Sequence, residues 1–435
     1  MNREEGLMNR FVLRGVFLAL PLGVAACGAG ERAPVTMVRT DTIAGVERLL
    51  YPGTGGARLG WRRDTLAVIG GAAAEEDVYQ FGRVTPARLA GDGAGRLYLL
   101  DAASDRVLVY DSLGGHVATY GRKGEGPGEL SGPSALAVSA DDSIWVADWS
   151  NRRYTVYPIG GGEARSVALP EDLGFPDGPL AVRGGALIQG YRPLLQFLMR
   201  RATEGERGVP PRPIYRLNRT GEVQDTLWVS TPPKPTEAHA GSDAGGISIR
   251  RAPEYTPDRY WAAFSDGSIV VSDTAEYVLR VVAQDGTVVR RIERDMPARA
   301  TTDADRERAR ERLDTSGAVR EMIVVRSAGG GGPAISEDAV RKAQLEAMTF
   351  APVIPRITGL RIDPLDRIWV GVSLDEPETT ERIDVFDREG RLIGELTGWE
   401  LPDVFLGRSL AARAVEDALD VPRIVIYRIA EPVGE

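Results

Sequence analysis

The sequence contains few of the residues on which many catalytic and metal sites depend. Its 435 residues include one cysteine and two histidines. A single cysteine cannot form a disulfide within the chain. Two histidines argue against a His-rich zinc centre and against a Ser-His-Asp hydrolase. We expect His116 to begin an outer strand after a turn and His239 to lie in a long loop.

Positive charge and long hydrophobic runs are also scarce. The formal net charge is −9, which argues against a nucleic-acid partner. Lysine occurs only at positions 123, 234 and 342, a bias that we attribute to genome composition and not to a site. The apolar run at 16–20 is shorter than the roughly 20 residues that a membrane-spanning helix requires.

That short run belongs to a predicted N-terminal processing signal. It leads into Val-Ala-Ala-Cys-Gly at 24–28, which resembles a bacterial lipobox. The resemblance implies that Cys27 is acylated and becomes the mature N-terminus, although an ordinary buried thiol is the alternative. We therefore predict a lipoprotein signal peptide at 1–27 and a flexible tether at 28–39. Both imply a lipid-anchored protein of the bacterial cell envelope, and the glycine after the cysteine favours the outer membrane.

Two segments of the chain align without a gap at an offset of 47 residues. The aligned pairs are Pro86 with Pro133, Asp101 with Asp148, Arg106 with Arg153 and Tyr110 with Tyr157. A repeat of this length made of short strands is typical of propeller blades, because one four-stranded sheet cannot bury both of its faces without neighbours.

The predicted fold is an all-β, six-bladed β-propeller over 40–430, with four antiparallel strands in each blade. Five blades lie at about 87–121, 134–168, 178–230, 261–292 and 358–396. The sixth combines C-terminal strands, including 424–429, with the N-terminal strand 65–69, which closes the ring and removes exposed sheet edges. Seven blades are the alternative if 40–70 holds more than one strand.

Within the first two blades, short motifs resemble the NHL repeat. They are Gly-Pro-Gly-Glu-Leu at 126–130, Ile-Trp-Val-Ala-Asp at 144–148 and Asn-Arg-Arg at 151–153. Together with the lipobox, they make the chain similar to the NHL-like six-bladed propeller lipoproteins of bacteria. This resemblance implies a fold and a binding surface; it does not imply a reaction.

The four strands of a blade are called A to D, from the channel outward. Every long connection is expected at one mouth of the propeller channel, because each either joins strands B and C of one blade or joins two successive blades. These connections are 191–213, 231–258, 295–355 and 373–381. Long loops are usually functional or disordered, so we place ligand binding at this mouth. The insertion 295–355, between blades 4 and 5, is expected to be partly helical, with a capping box at 302–305 and a second helix near Ser336. A glycine hinge at 329–332 would let it act as a lid, or it packs passively on the rim.

Three aspartates are expected to end B strands: Asp101, Asp148 and Asp273. They could form a carboxylate ring for Ca²⁺, which prefers six to eight oxygen ligands. We favour the alternative that each accepts backbone N–H groups of its own B–C turn. No other metal or cofactor is predicted.

The predicted ligand-binding residues are cationic or aromatic and lie near the same mouth, a combination that suits an anionic sugar or a peptide carboxylate. They are Arg88, Arg122, Lys123, Trp149, Arg152, Tyr191, Tyr260 and Arg356. The favoured function is a binding or scaffold module for a protein, peptide or glycan, with no catalytic residue assigned. The alternative is a propeller enzyme, a lactonase-like hydrolase or a lyase, that uses pore carboxylates and a divalent metal.

Overall fold

The strands form a closed ring of six four-stranded antiparallel sheets. The computed structural model describes residues 38–170, 172–192, 209–242, 245–316, 325–326, 337–375 and 382–432. In each sheet, strands A to D follow one another from the central channel to the outside. The chain is therefore a six-bladed β-propeller, as predicted.

Blades 1 to 3 follow the repeat found in the sequence. Blade 1 comprises Leu89–Gly91, Leu97–Asp101, Arg106–Tyr110 and His116–Tyr120. Blade 2 comprises Pro133–Ser139, Ser143–Asp148, Arg153–Pro158 and Arg165–Ala168. Blade 3 comprises Phe175–Arg183, Ala186–Arg192, Arg212–Leu217 and Val223–Ser230.

Blades 4 to 6 complete the ring. Blade 4 comprises Tyr260–Ala263, Ile269–Ser272, Val278–Val282 and Val288–Asp295. Blade 5 comprises Ile357–Ile362, Ile368–Val372, Arg382–Phe386 and Leu392–Thr397. Blade 6 comprises Val404–Leu406, Leu410–Glu416, Pro422–Ala430 and, as its outermost strand, Arg62–Gly70.

The hydrophobic core is divided into six clusters, one between each pair of successive blades. The B strands of blades 1 to 5 are buried along almost their whole length, as in Leu97–Asp101 and Ile368–Val372, because a blade has neighbours on both faces; that of blade 6, Leu410–Glu416, is buried only in part. Trp145 and Trp369 are fully buried in these interfaces. Burying both faces explains why the B strands of blades 1, 2, 4 and 5 are mainly apolar instead of alternating.

The N-terminal segment runs along the outside of three consecutive blades. Val46–Pro52 pairs in parallel with the outer strand of blade 4, residues 57–59 bond to that of blade 5, and Arg62–Gly70 pairs with Pro422–Ala430 in blade 6. With the additional strand Arg39–Ile43, residues 39–70 hold three strands. The ring nevertheless stays at six blades, because the two extra strands extend blade 4 to six strands and cover its exposed edge.

A buried ionic network fixes this segment to blades 4 and 5. Arg294 donates from Nη1 to Asp384 Oδ2 at 2.8 Å and from Nη2 to Glu395 Oε1 at 2.7 Å. Its Nε donates to the carbonyl of Pro52 at 3.0 Å. Arg382 Nε lies 2.9 Å from Asp384 Oδ1. The side chains of Arg294 and Asp384 have no exposed surface, so each charge depends on its partners.

Candidate functional site

The two rims of the propeller differ in the connections that they carry. The turn rim carries the short A–B and C–D turns, whereas the loop rim carries the B–C connections and the links between blades. The four long connections expected from the sequence begin and end at the loop rim, as predicted; they are 193–211, 231–259, 296–356 and 373–381. The predicted hinge 329–332 lies outside the described residues, so the lid interpretation stays a prediction.

Two of these connections pack against each other and form one unit, which we call the cap (the described parts of 231–258 and 295–355). The first contributes the hairpin of Thr236–Ser242 and Gly245–Arg251. The second contributes helix α1, Asp303–Ser316, and helix α2, Glu337–Ala347, and α2 packs on the hairpin. His239 therefore lies in a strand and not, as expected, in a loop.

Hydrogen bonds join the two halves of the cap. Glu254 N donates to the carbonyl of Thr349 at 2.7 Å, and Ala351 N donates to the carbonyl of Glu254 at 2.8 Å. Tyr255 Oη donates to the carbonyl of Asp305 at 2.8 Å. Short strands Arg299–Ala300 and Val353–Ile354 pair at the base of the second half. The cap is thus built from two successive blade junctions.

The predicted capping box at the start of α1 is confirmed. Thr302 N donates to Asp305 Oδ2 at 2.9 Å, while Asp305 N donates to Thr302 Oγ1 at 3.3 Å. Arg299 binds both oxygens of Asp305, at 2.7 and 2.9 Å. Hydrogen bonding to Arg299 is the largest influence that holds the pKa of the Asp305 carboxyl well below its usual range.

A channel with a volume of about 1110 Å³ passes through the ring. Strand A of every blade, with its lead-in, contributes to the wall, and much of the lining is apolar. One such residue per blade is Leu89, Leu136, Leu180, Ala262, Leu360 and Phe405. A channel of this size and lining can enclose a small organic molecule.

Two aspartates at the turn-rim end of the channel are held by their own blades. Asp92 Oδ2 accepts from Arg96 Nε at 2.6 Å and from Tyr98 Oη at 2.9 Å. Asp363 Oδ2 accepts from Arg367 Nε at 2.6 Å and from the indole of Trp369 at 3.0 Å. These carboxylates are therefore engaged in structural contacts.

Deeper in the channel, an arginine and an aspartate share a partly buried site. Arg361 Nη2 lies 3.5 Å from Asp403 Oδ1, and Asp403 Oδ2 accepts from Ala414 N at 2.8 Å. Burial lowers the pKa of the Arg361 guanidinium and raises the pKa of the Asp403 carboxyl. Tyr260, a predicted binding residue, lines the same channel.

Asp101, Asp148 and Asp273 stand at the ends of B strands, as expected, and each faces an arginine of strand C. The distances are 3.1 Å from Arg106 to Asp101, 3.4 Å from Arg153 to Asp148 and 3.2 Å from Arg280 to Asp273. Among the described residues, no group of three or more Asp, Glu, His or Cys side chains is placed to hold a metal ion.

For two of these aspartates, the prediction that they accept N–H groups of their own B–C turns was wrong. Asp148 Oδ1 accepts from Ser131 N at 2.8 Å, and Asp101 Oδ1 accepts from Gly82 N at 3.3 Å. Both donors precede strand A and do not belong to the B–C turn. The reason is that the lead-in to strand A passes beside the end of the adjacent B strand.

Four of the predicted binding residues remain at the loop rim with accessible surface. Arg122 is exposed and pairs with Glu129 at 2.9 Å, and Lys123 beside it is also exposed. The Arg152 guanidinium lies 4.8 Å from the centre of the Trp149 ring. That ring in turn packs against the partly exposed Phe175, with centroids 4.0 Å apart.

The other predicted binding residues are engaged with the protein. Tyr191, expected on a loop, lies in a strand with no exposed surface, and its Oη is 2.7 Å from Tyr154 Oη. Arg356 is buried and donates to the carbonyl of Pro297 at 2.6 Å and to Asp375 Oδ1 at 2.7 Å. Arg88 donates to the carbonyl of Arg83 at 2.9 Å, and burial lowers its pKa.

Sequence reasoning missed the polar groups of the channel itself, including Arg183, Arg361 and Asp403. Arg183 and Arg361 lie at the ends of mainly apolar A strands, where a charged residue interrupts the buried pattern. That interruption was the sequence signal that could have identified these two arginines as channel residues. Cys27 lies outside the described residues, among which no helix is long and apolar enough to cross a membrane.

Comparisons with known proteins do not identify a family for this chain. No family model and no curated protein matches the chain, so the resemblance to the NHL repeat stays a prediction. Solved structures do resemble it. A Bacteroides vulgatus member of the DUF4221 family is 11% identical with a TM-score of 0.47, over 86% of this chain and 99% of that one.

Two further structures are similar over most of their length. A Bacteroides fragilis protein described as exported is 10% identical with a TM-score of 0.45, over 88% of this chain and 99% of that one. A gluconolactonase from Xanthomonas campestris is 14% identical with a TM-score of 0.37, over 86% and 91%. Likeness at this level carries no inference about fold, ligand or reaction.

Proposed function

We propose that this protein is a lipid-anchored binding module of the bacterial cell envelope, which recognises a protein, peptide or glycan at its loop rim. The observation that carries the proposal is the cap: two long connections from successive blade junctions leave the same rim and pack into one folded unit. Folding such a unit costs conformational entropy, and nothing in ring closure requires it. A recognition surface accounts for that cost.

The envelope location rests on the lipobox-like segment around Cys27 and on the short apolar run before it. The NHL-like motifs of blades 1 and 2 support a propeller whose role is recognition. Exposed cations at the rim, Arg122 and Lys123, suit acidic groups on a partner. The aromatic pair of Trp149 and Phe175 adds a partly apolar surface beside them.

The competing proposal, an enzyme with a metal held by pore carboxylates, has less support. Asp92 and Asp363 at the channel are bound by arginines of their own blades, at 2.6 Å in both cases. Each of these carboxylates is a poor metal ligand, because the arginine occupies one oxygen and backbone N–H groups occupy the other.

Site-specific photo-crosslinking in intact cells tests the proposal. A photoreactive amino acid is placed at Lys123 or at Trp149 on the loop rim. Matched positions on the turn rim are Leu113, in the C–D turn of blade 1, and Leu365, in the A–B turn of blade 5, which are 74% and 43% exposed. We expect discrete crosslinked products from the loop-rim positions, and little or none from the turn rim.

Exposure to solvent makes the turn-rim positions a control for random collision. Crosslinks that are as strong from Leu113 and Leu365 as from the loop rim would refute recognition at the loop rim. Mass spectrometry of the products, together with glycosidase and protease sensitivity, then identifies the partner as a protein, peptide or glycan.

A further inference from the structure

The sheet of blade 4 ends in a strand that lies outside the ring. Val46–Pro52 and Arg39–Ile43 are added beyond its outer strand Val288–Asp295, whereas the other blade sheets of the described residues stop at four strands. Neighbouring strands of a sheet lie about 4.8 Å apart, so Arg39–Ile43, which we call the edge strand, lies roughly 10 Å beyond the blade. All of its residues are exposed, so another strand can reach this edge.

The hairpin that contains the edge strand fixes which of its backbone groups are already bonded. Its two turn residues, Ala44 and Gly45, have φ angles of 50° and 83°, the signature of a type I′ turn. The residues on either side of such a turn, Ile43 and Val46, form a hydrogen-bonded pair. Hydrogen-bonded pairs alternate along an antiparallel ladder, so every second residue before Ile43 is also bonded within the hairpin.

The residues between them, Thr40 and Thr42, direct their N–H and C=O groups to the free edge. Both are exposed, and no strand of the described residues lies on that side. A row of unpaired backbone groups at a sheet edge can pair with a strand of another chain. The edge strand contains no proline and no bulge, features that usually prevent such pairing.

The two charged residues of the edge strand, Arg39 and Asp41, have opposite signs and lie on the same face of the sheet, because side chains alternate along a strand. The Asp41 carboxylate is 50% exposed and lies 3.2 Å from Arg48 Nη1. Arg39 forms no ion pair with another residue that the structure describes. The strand therefore presents a charge pattern that is complementary to itself when it is reversed.

Charge selects one register for two such strands in antiparallel pairing. The outward residues must face each other to form hydrogen bonds, and with Thr40 opposite Thr40, Arg39 of each copy lies opposite Asp41 of the other. A shift of two residues in one direction places Asp41 opposite Asp41, and a shift in the other direction places Arg39 opposite Arg39. Like charges directly opposite each other are destabilising, so both shifted registers are disfavoured.

We propose that two copies of this protein form a two-fold symmetric dimer through their edge strands, Arg39–Ile43, which join two six-stranded sheets edge to edge. The contact is short, so we expect weak association in free solution. The proposed lipid anchor would strengthen it, because two copies held on one membrane surface have a high effective concentration. The pairing itself depends neither on that anchor nor on recognition at the loop rim.

Sedimentation velocity of the full chain in excess neutral detergent tests the pairing. Arg39→Asp makes both charges of the strand negative and Asp41→Arg makes both positive, so each variant alone should dimerise roughly tenfold or more weakly than the wild type. An equimolar mixture should dimerise about as well as the wild type, because every acidic position then faces a basic one. Arg48 keeps its ion pair with Glu293 at 2.9 Å in both variants.

Disulfide crosslinking determines the register. In the proposed dimer the two copies of residue 40 face each other with Cα atoms about 5.5 Å apart, a distance that a disulfide can span. The two copies of residue 42 are offset by four positions, roughly 14 Å along the strands. Under mild oxidation Thr40→Cys should therefore form covalent dimers and the equally exposed Thr42→Cys should form few, with the wild type as the control for Cys27.

Thr40→Pro is a further control, because the N–H that it removes points outward and no hairpin hydrogen bond is lost. It should abolish the dimer. Restoration of dimers in the mixture cannot arise from misfolded variants, since the mixture contains the same two chains. The proposal is wrong if the wild type stays monomeric up to roughly 1 mM, if mixing does not restore dimers, if Thr40→Pro dimerises like the wild type, or if Thr42→Cys crosslinks as fast as Thr40→Cys.

Discussion

Replacing Asp384 by asparagine should destabilise the propeller far more than removing a surface charge. The Asp384 and Arg294 side chains are both completely buried, 2.8 Å apart, and Arg382 lies 2.9 Å from the other carboxylate oxygen. Removing one partner of a buried pair costs about 3–5 kcal/mol, because a charge is left without compensation. Glu395 still accepts from Arg294 at 2.7 Å, which places the expected loss near the lower end, about 3 kcal/mol.

Equilibrium unfolding in guanidinium chloride at pH 7, followed by tryptophan fluorescence, measures this loss. Trp61, Trp369 and Trp399 lie together in the interface of blades 5 and 6 and report on its disruption. Asp41→Asn is the matched control: that carboxylate is 50% exposed and 3.2 Å from Arg48, so it should cost less than about 1 kcal/mol. Losses of similar size in the two variants would refute the inference that the buried network stabilises the ring.

Two more expectations follow from the cap and from the N-terminus. Because the folded-state pKa of Asp305 is depressed, its contribution to stability should be complete above its unfolded value of about 3.9 and should disappear as pH falls toward the folded value. The stability difference between the wild type and Asp305→Asn should therefore be constant from neutral pH down to about pH 5 and shrink below about pH 4; urea titrations across this range that show a growing difference would contradict it. Metabolic labelling with an alkyne fatty acid should tag the wild type and not Cys27→Ser, and equal labelling of both would exclude acylation at this residue.

The blades could be predicted from the sequence because their signals are local. Asp-Gly and Gly-rich turns, continuous apolar B strands and the 47-residue repeat all depend on residues that are neighbours along the chain. The capping box of α1 was predictable for the same reason, since Thr302 and Asp305 are three residues apart. Ring closure by the termini followed from the need to complete a blade that lacked one strand.

Features that depend on distant pairs could not be predicted in this way. The parallel pairing of Val46–Pro52 with Val288–Asp295 joins segments about 240 residues apart, and no local pattern marks it. Tyr191 is buried against Tyr154, and Arg356 donates to the carbonyl of Pro297. Both contacts likewise depend on which segments meet in the folded ring. Tyr260 was predicted as a binding residue and does line the channel. Which side chains point toward the channel axis could not be predicted, because the twist of the whole ring sets their orientation.

The N-terminal segment that crosses the outside of blades 4, 5 and 6 has a consequence for biosynthesis. Its strand Arg62–Gly70 leaves the ribosome well before its partner Pro422–Ala430, which lies more than 350 residues later in the chain. Until then the first strands have no sheet to join, and their backbone groups remain available to wrong partners. A polypeptide arranged like this can complete its ring only after both of these strands have been synthesised.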